Sequence, residues 1–294
     1  MFNFLKIIFS PIIAILDFIT RYFKTIVFLT IMYFLVFDSN ESIKETNNFA
    51  NLQKIELSGP IMDVSKTLEE LEKAKVDKNI KGILLVVNSP GGAVAPSVEL
   101  AYAIKELNDI KPVVAYASGV IASGSYYASI WANKIIANPG SMVGSIGVIM
   151  QGVNAEELMT KIGISTQTVK AGKYKESGTP TRKWLDYEEK QLQSVIDDTY
   201  EMFITDVANA RKLDVKNHIL FADAKIFTAK QAKEVGLVDE VATISFAQDT
   251  LSTLAKVETP VWKKQDKFDK FMDKFLSQAI SKVVMSFSTE LKAY

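Results

Sequence analysis

Apolar positions run in blocks of different periodicity along the chain. The first block is the most apolar. Residues 25–37 carry no charge, and extending the run back through Phe23, Tyr22, Ile19 and Phe18 gives about 20 residues, enough for one helical membrane span. Arg21 and Lys24 lie near one end, where long cationic side chains reach the headgroups. Residues 1–16 are also largely apolar, but Pro11 interrupts them and Asp17 closes them, which reads as an interfacial segment before the span. A mostly polar stretch at 40–51 reads as a linker.

Beyond the linker the pattern alternates. Residues 54–57 predict a short strand, and Val64, Leu68 and Leu71 follow at helical spacing. The continuous apolar run 82–87 predicts a buried strand ending in the loop Asn88-Ser89-Pro90-Gly91-Gly92. A helix is expected at 98–107, and strands at 113–117 and 134–137, the last ending at Asn138-Pro139-Gly140. Alternation of this kind predicts an α/β fold with parallel strands. A long helix is expected at 186–211, where Leu192, Val195, Ile196, Thr199, Phe203, Val207 and Ala210 form one packing stripe. A second stripe, Phe268, Phe271, Met272, Phe275, Leu276, Ala279 and Ile280, has Lys263, Lys264, Lys267, Lys270 and Lys274 nearby. It predicts a C-terminal amphipathic helix that docks a partner, lies on a membrane or covers the domain's own core. The expected organisation is a membrane anchor at 1–38, a linker at 39–51, a main domain at 52–258 and a helical extension at 259–294.

Lys6, Arg21 and Lys24 precede the span, while Asp38, Glu41 and Glu45 follow it with Lys44. The asymmetry predicts a cytoplasmic N-terminus and a main domain outside. Leu35-Val36-Phe37-Asp38 lacks the small residues of a signal peptidase site, which favours an uncleaved anchor. Bulky aromatics on all sides of the segment speak against a buried core helix. Lys plus Arg equals Asp plus Glu at 34 each, so the overall charge offers nothing to nucleic acid.

With no Cys and a single His, the chain has no disulfide, thiolate or multi-histidine metal site to offer. The one histidine, His218, sits in no catalytic signature and reads as structural or exposed. A hydroxyl nucleophile in this chain therefore needs another base. Lysine serves only as a neutral amine, a state that desolvation favours. Three glycine-bearing clusters could build such a site. In Ala122-Ser123-Gly124-Ser125 a serine stands at an expected strand-to-helix turn, where backbone N–H groups are free. Ser89-Pro90-Gly91-Gly92 and Gly144-Ser145-Ile146-Gly147 are the others, and each alone could equally be an ordinary turn. Lys173 and Lys175 share a face if their segment is extended, so the residues alone leave the choice between them open.

In order along the chain, Asn88-Ser-Pro-Gly-Gly, Ala122-Ser-Gly-Ser-Tyr-Tyr, Gly144-Ser-Ile-Gly-Val, Gly172-Lys-Tyr-Lys-Glu with Pro180 and Arg182, and the stretch from Phe227 to Asp239 resemble the short, single-domain form of the signal peptide peptidase SppA family. The resemblance implies a ClpP/crotonase-like layered α/β fold with repeated ββα-type units, together with the N-terminal transmembrane helix. It implies a serine endopeptidase with Ser123 as nucleophile and Lys175 as general base. Ser145 would orient the lysine, and the N–H groups of Gly92 and Gly124 would form the oxyanion hole. No metal or organic cofactor is implied. The expected substrates are hydrophobic peptides in or near the membrane, chiefly remnant signal peptides after signal peptidase has acted. A homo-oligomeric ring, of eight subunits by resemblance, would sit on the outer face of a bacterial cytoplasmic membrane in contact with its lipid. Competing readings are a crotonase-like acyl-CoA enzyme and a catalytically silent membrane scaffold. The chain departs from the family pattern at two places: Ser125 replaces a usual glycine, and Ala224-Lys225 replaces a usual Gly-Arg.

Overall fold

The computed structural model describes Phe18, residues 20–30 and residues 49–264. The chain forms two units, Met1–Gln53 with Thr259–Tyr294, and Lys54–Glu258. In the first, residues 20–30 are helical, and among the described residues no helix is long and apolar enough to cross a membrane. Most of the expected anchor and the amphipathic stripe at 268–280 lie outside the described residues.

The main unit is built on one seven-stranded sheet. Its strands are β1 (Leu52–Ser58), β2 (Gly82–Ser89), β3 (Val113–Ala122), β4 (Lys134–Ala137), β5 (Met142–Gly144), β6 (Ile226–Thr228) and β7 (Glu240–Val241). Helices α1 (Ser65–Val76), α2 (Val94–Asn108) and α3 (Gly124–Ser129) occupy the crossovers of the first half. Then come α4 (Glu156–Lys161), α5 (Asp186–Arg211), α6 (Ala229–Glu234) and α7 (Ile244–Leu254). The order is β1-β2-β3-β4-β7, with β5 paired to β3 and β6. The β2-β3, β3-β4, β3-β5 and β4-β7 pairs are parallel, and only β5-β6 among the registered pairs is antiparallel. The mixed α/β expectation is met. Ile83, Leu84, Leu85, Val113, Val114 and Ala115 are fully buried, as strands covered on both faces require.

Strand β3 organises the sheet because it changes partner midway. Val114 to Ala117 pair with β4, whereas Val120 to Ala122 pair with β5. Between them Ser118-Gly119 bulges, and the β2 register slips from Val87↔Ala117 to Ser89↔Ile121. Asn88 makes the slip tolerable. Its Oδ1 accepts the Val120 N–H at 3.0 Å, a group the broken ladder would otherwise leave without a partner. On the other side the Asn138-Pro139-Gly140-Ser141 turn steps the chain from β4 to β5, and both Asn138 N–H and Ser141 Oγ donate to Ala117 O. The C-terminal ends of β2, β3 and β5 consequently lie side by side. Ligands of parallel sheets gather at such ends.

The β5 end is braced by a strained corner. Asp223 and Ala224 both have positive φ (60° and 52°), and Ala224 N–H donates to Ile146 O at 2.9 Å while Lys225 O accepts Ser145 N–H at 2.7 Å. Left-handed backbone disfavours any residue with a Cβ, so the family's usual glycine suits this position better than alanine. Ala224→Gly is therefore expected to stabilise the fold by about 0.5–1 kcal/mol, offset in part by glycine's greater unfolded-state freedom. Denaturant unfolding would show it, and a lower midpoint in the variant would contradict the strain at this corner.

Candidate active site

Ser123 lies between β3 and α3 with φ 52° and ψ −125°, a conformation that non-glycine residues avoid. Three anchors over-determine it. Ser123 N–H donates to Gly144 O at 2.8 Å, tying the turn to the β5 end. Ser123 O accepts Tyr127 N–H at 3.0 Å as the first bond of α3. The third comes from Ser125, which is fully buried. Its Oγ accepts Ala122 N–H at 2.9 Å and lies 2.6 Å from Ser89 O, so one hydroxyl clamps the ends of β2 and β3 together beneath the turn. A glycine could not do this, and the departure noted in the sequence tightens the elbow. Ser125→Ala removes both side-chain bonds from a buried site, an expected loss of about 1–3 kcal/mol in denaturant unfolding. A loss below about 0.5 kcal/mol would show that the clamp is dispensable.

The expected oxyanion glycines meet at this turn. A Cβ on Gly124 would lie 2.2 Å from Ser97 Oγ and 3.3 Å from Gly92 N. One on Gly92 would lie 2.1 Å from Ile61 O, which is backbone and cannot swing away. Neither N–H has an acceptor among the described residues; that of Gly124 is one of the free donors that open any helix. Gly92, Ser123 and Gly124 all line one cavity of about 90 Å³. Its other walls are mainly apolar: Val94 and Val98 of α2, Tyr127 of α3, Val148, and Met202 and Phe203 of α5. The α5 stripe expected only to pack thus has a second use, since Thr199 and Phe203 face this cavity. Ser97, Val94 and Val98 were not singled out from sequence. Their spacing along α2 was the available signal, but periodicity cannot separate a cavity wall from a core contact.

Ser145 follows Gly144, the register partner of Ala122, and so leaves the sheet beside Ser123, also with positive φ (50°). It does not line the cavity. Lys175 is not brought to Ser123 within the described chain. It is exposed, on a turn where its N–H donates to Gly172 O, and it does not line the cavity. It belongs to a long arm: from residue 147 to residue 187 not one residue is buried, and Ile149, Val153, Leu158, Ile162 and Ile164 are exposed. His218 is half-buried, edge-on to Tyr200 with ring centroids 5.8 Å apart, and likewise outside the cavity.

The far end of the arm is fixed by charge. Arg182 makes two 2.8 Å bonds to the buried Glu188 carboxylate, which also accepts Leu185 N–H at 2.9 Å. Glu176 is occupied by Lys170 at 2.6 Å and Arg182 at 3.3 Å. The Arg182 guanidinium, with the Leu185 N–H, holds Glu188 down at about 2. A depressed carboxyl stabilises the fold fully above its unfolded value near 4.3, and the contribution disappears as pH falls towards 2. Amide exchange at Leu185 and Glu188, protected at pH 5, is expected to open through that window. Protection unchanged down to pH 2 would contradict the assignment.

A serine on a strained strand-to-helix turn, at the ends of parallel strands and beside two donor N–H groups, defines an α/β protein with a hydrolase-type elbow. Residues 105–258 match the model of Peptidase family S49. A protein of Methanocaldococcus jannaschii named a candidate protease is 47% identical over 66% of this chain, and the match spans 61% of that protein's length. One from Synechocystis, also named a candidate protease, is 37% identical over 73% of this chain and 78% of its own. A candidate signal peptide peptidase SppA of Enterococcus faecium is 34% identical over 74% of this chain and 67% of its own. The chain belongs to Peptidase family S49.

Proposed function

We propose that the chain is a membrane-anchored serine endopeptidase of ClpP/crotonase-like fold that cleaves hydrophobic peptides, chiefly remnant signal peptides. The observation that carries this reading is Ser123 itself, held at an unfavourable φ with the free N–H groups of Gly92 and Gly124 beside it and an apolar cavity in front. Ser123 Oγ attacks the peptide carbonyl carbon, and the C=O electron pair moves to an oxyanion that the two N–H groups accept. Lys175, as a neutral amine, takes the hydroxyl proton and returns it to the leaving amine as the C–N bond breaks. Water deprotonated by the same amine then opens the acyl-enzyme ester. Ser145, emerging beside Ser123, orients the amine.

The arm decides how the lysine arrives. A segment that buries none of its apolar residues, and whose Lys175 is exposed and outside the cavity lining, fits a homo-oligomer in which the base reaches Ser123 of a neighbouring copy. Association would also desolvate the amine, as a lysine base requires. The ring is proposed to sit on the extracytoplasmic face of a bacterial membrane. A serine elbow favours the covalent route over an acyl-CoA reaction without an enzyme ester. Digestion of a signal peptide by the detergent-solubilised protein tests the reading: cleavage sensitive to a serine-directed fluorophosphonate is expected, and no cleavage by an intact oligomer would refute it.

A further inference from the structure

We propose that the Tyr127–Asp206 hydrogen bond sets which side chain the cavity accepts, by seating the α5 wall against the helix that begins at Ser123. This rests on the peptidase reading of the same site.

The cavity has two walls of different origin. One is continuous with the nucleophile turn, since Tyr127 lies one helical turn after Ser123 and bonds to its carbonyl. The other is α5, through Thr199, Met202 and Phe203. That second wall is weakly anchored on its N-terminal side: from residue 189 to residue 202 no residue is buried. The first residue of the helix to sink into the core after Glu188 is Phe203, and Tyr127 meets it edge-on with ring centroids 4.9 Å apart. Asp206 stands on the same face one turn later, and its Oδ2 accepts the Tyr127 hydroxyl. Burial, and next the Asp206 bond, push the Tyr127 hydroxyl well above its ordinary range, so it remains a donor at any working pH. One residue therefore touches the nucleophile turn with its backbone, the cavity with its ring and the opposite wall with its oxygen.

Removing the oxygen leaves Tyr127 in touch with the wall through its ring alone, so the part of α5 before the buried Phe203 can lean outward and the cavity widens. A cavity of about 90 Å³ suits an aliphatic side chain better than an indole. The bond should then favour leucine over tryptophan beside the cleaved bond, and its loss should erode that preference.

The test measures kcat/KM on two peptides that differ only in leucine or tryptophan at that position. Tyr127→Phe and Asp206→Ala should each lower the leucine-to-tryptophan ratio by about tenfold, the scale of discrimination by apolar fit. The double variant should fall no further, because both changes cut one bond. Asp206→Asn keeps an acceptor oxygen and should hold the ratio within about twofold. An unchanged ratio in both single variants, or effects that add in the double, would overturn the proposal. If the wild-type oligomer cleaves neither peptide, the peptidase reading fails, and the seating of α5 is still read by amide exchange at Thr199, Met202 and Phe203. Faster exchange in Tyr127→Phe supports the latch, and unchanged exchange refutes it.

Discussion

Ser123→Ala and Lys175→Ala should each lower peptide turnover by about 10⁴-fold or more, the usual consequence of removing a nucleophile or its base. Lys175→Arg should be as inactive, since a guanidinium stays protonated at any usable pH. Ser145→Ala should lose less, because it removes orientation and leaves the base. His218→Ala should stay close to wild type, as its ring lies on Tyr200 outside the cavity. Mixing the two inactive variants before assembly is the informative step. With Lys175 exposed on an arm that has no buried residue, a mixed ring should recover part of the activity, at composite sites that take Ser123 from one copy and Lys175 from the next. Mixed rings that stay inactive would place the pair in one chain. An inactive His218→Ala beside an active Lys175→Ala would remove the dyad altogether.

Gly92→Ala should cost about 10²- to 10³-fold in kcat, the range for loss of one oxyanion donor. The cause is steric and remote from the nucleophile. The added Cβ would stand 2.1 Å from Ile61 O and 2.6 Å from Ile61 N, so the loop must move, and its N–H turns with it. KM should change little, because the donor acts on charge that develops after binding. Wild-type kcat in this variant would mean that the Gly92 N–H does not face the reacting oxygen.

Much of the sheet was legible. The β4 span Lys134–Ala137 and the α5 span Asp186–Arg211 fall where the apolar pattern places them, because each is bounded by breakers or charge. Strand β3 runs past the expected end at Ala117, since Ser118-Gly119 reads locally as a stop. Side chains carry the ladder across the bulge: Asn88 Oδ1, from another strand, accepts Val120 N–H, and Ser118 Oγ donates to Val87 O. No local pattern encodes such a rescue. The glycine clusters were visible as turns, but that they converge follows from the register Ser89↔Ile121 and Ala122↔Gly144, a property of the assembled sheet. The arm was hidden for a different reason: Ile149, Leu158 and Ile164 look like core residues in a sequence, and they are exposed here. The departure at Ser125 needed the structure to reveal its sign, since a hydroxyl below the elbow could have strained the turn instead of clamping it.

The central claim is that Ser123 is an activated nucleophile, and the direct measurement is peptide-level mass spectrometry of the assembled protein after treatment with a fluorophosphonate. One adduct per reactive site is expected, on Ser123, absent in Ser123→Ala and much slower to form in Lys175→Ala. No adduct on the intact oligomer, or one on Ser97, Ser125 or Ser145 instead, would contradict it.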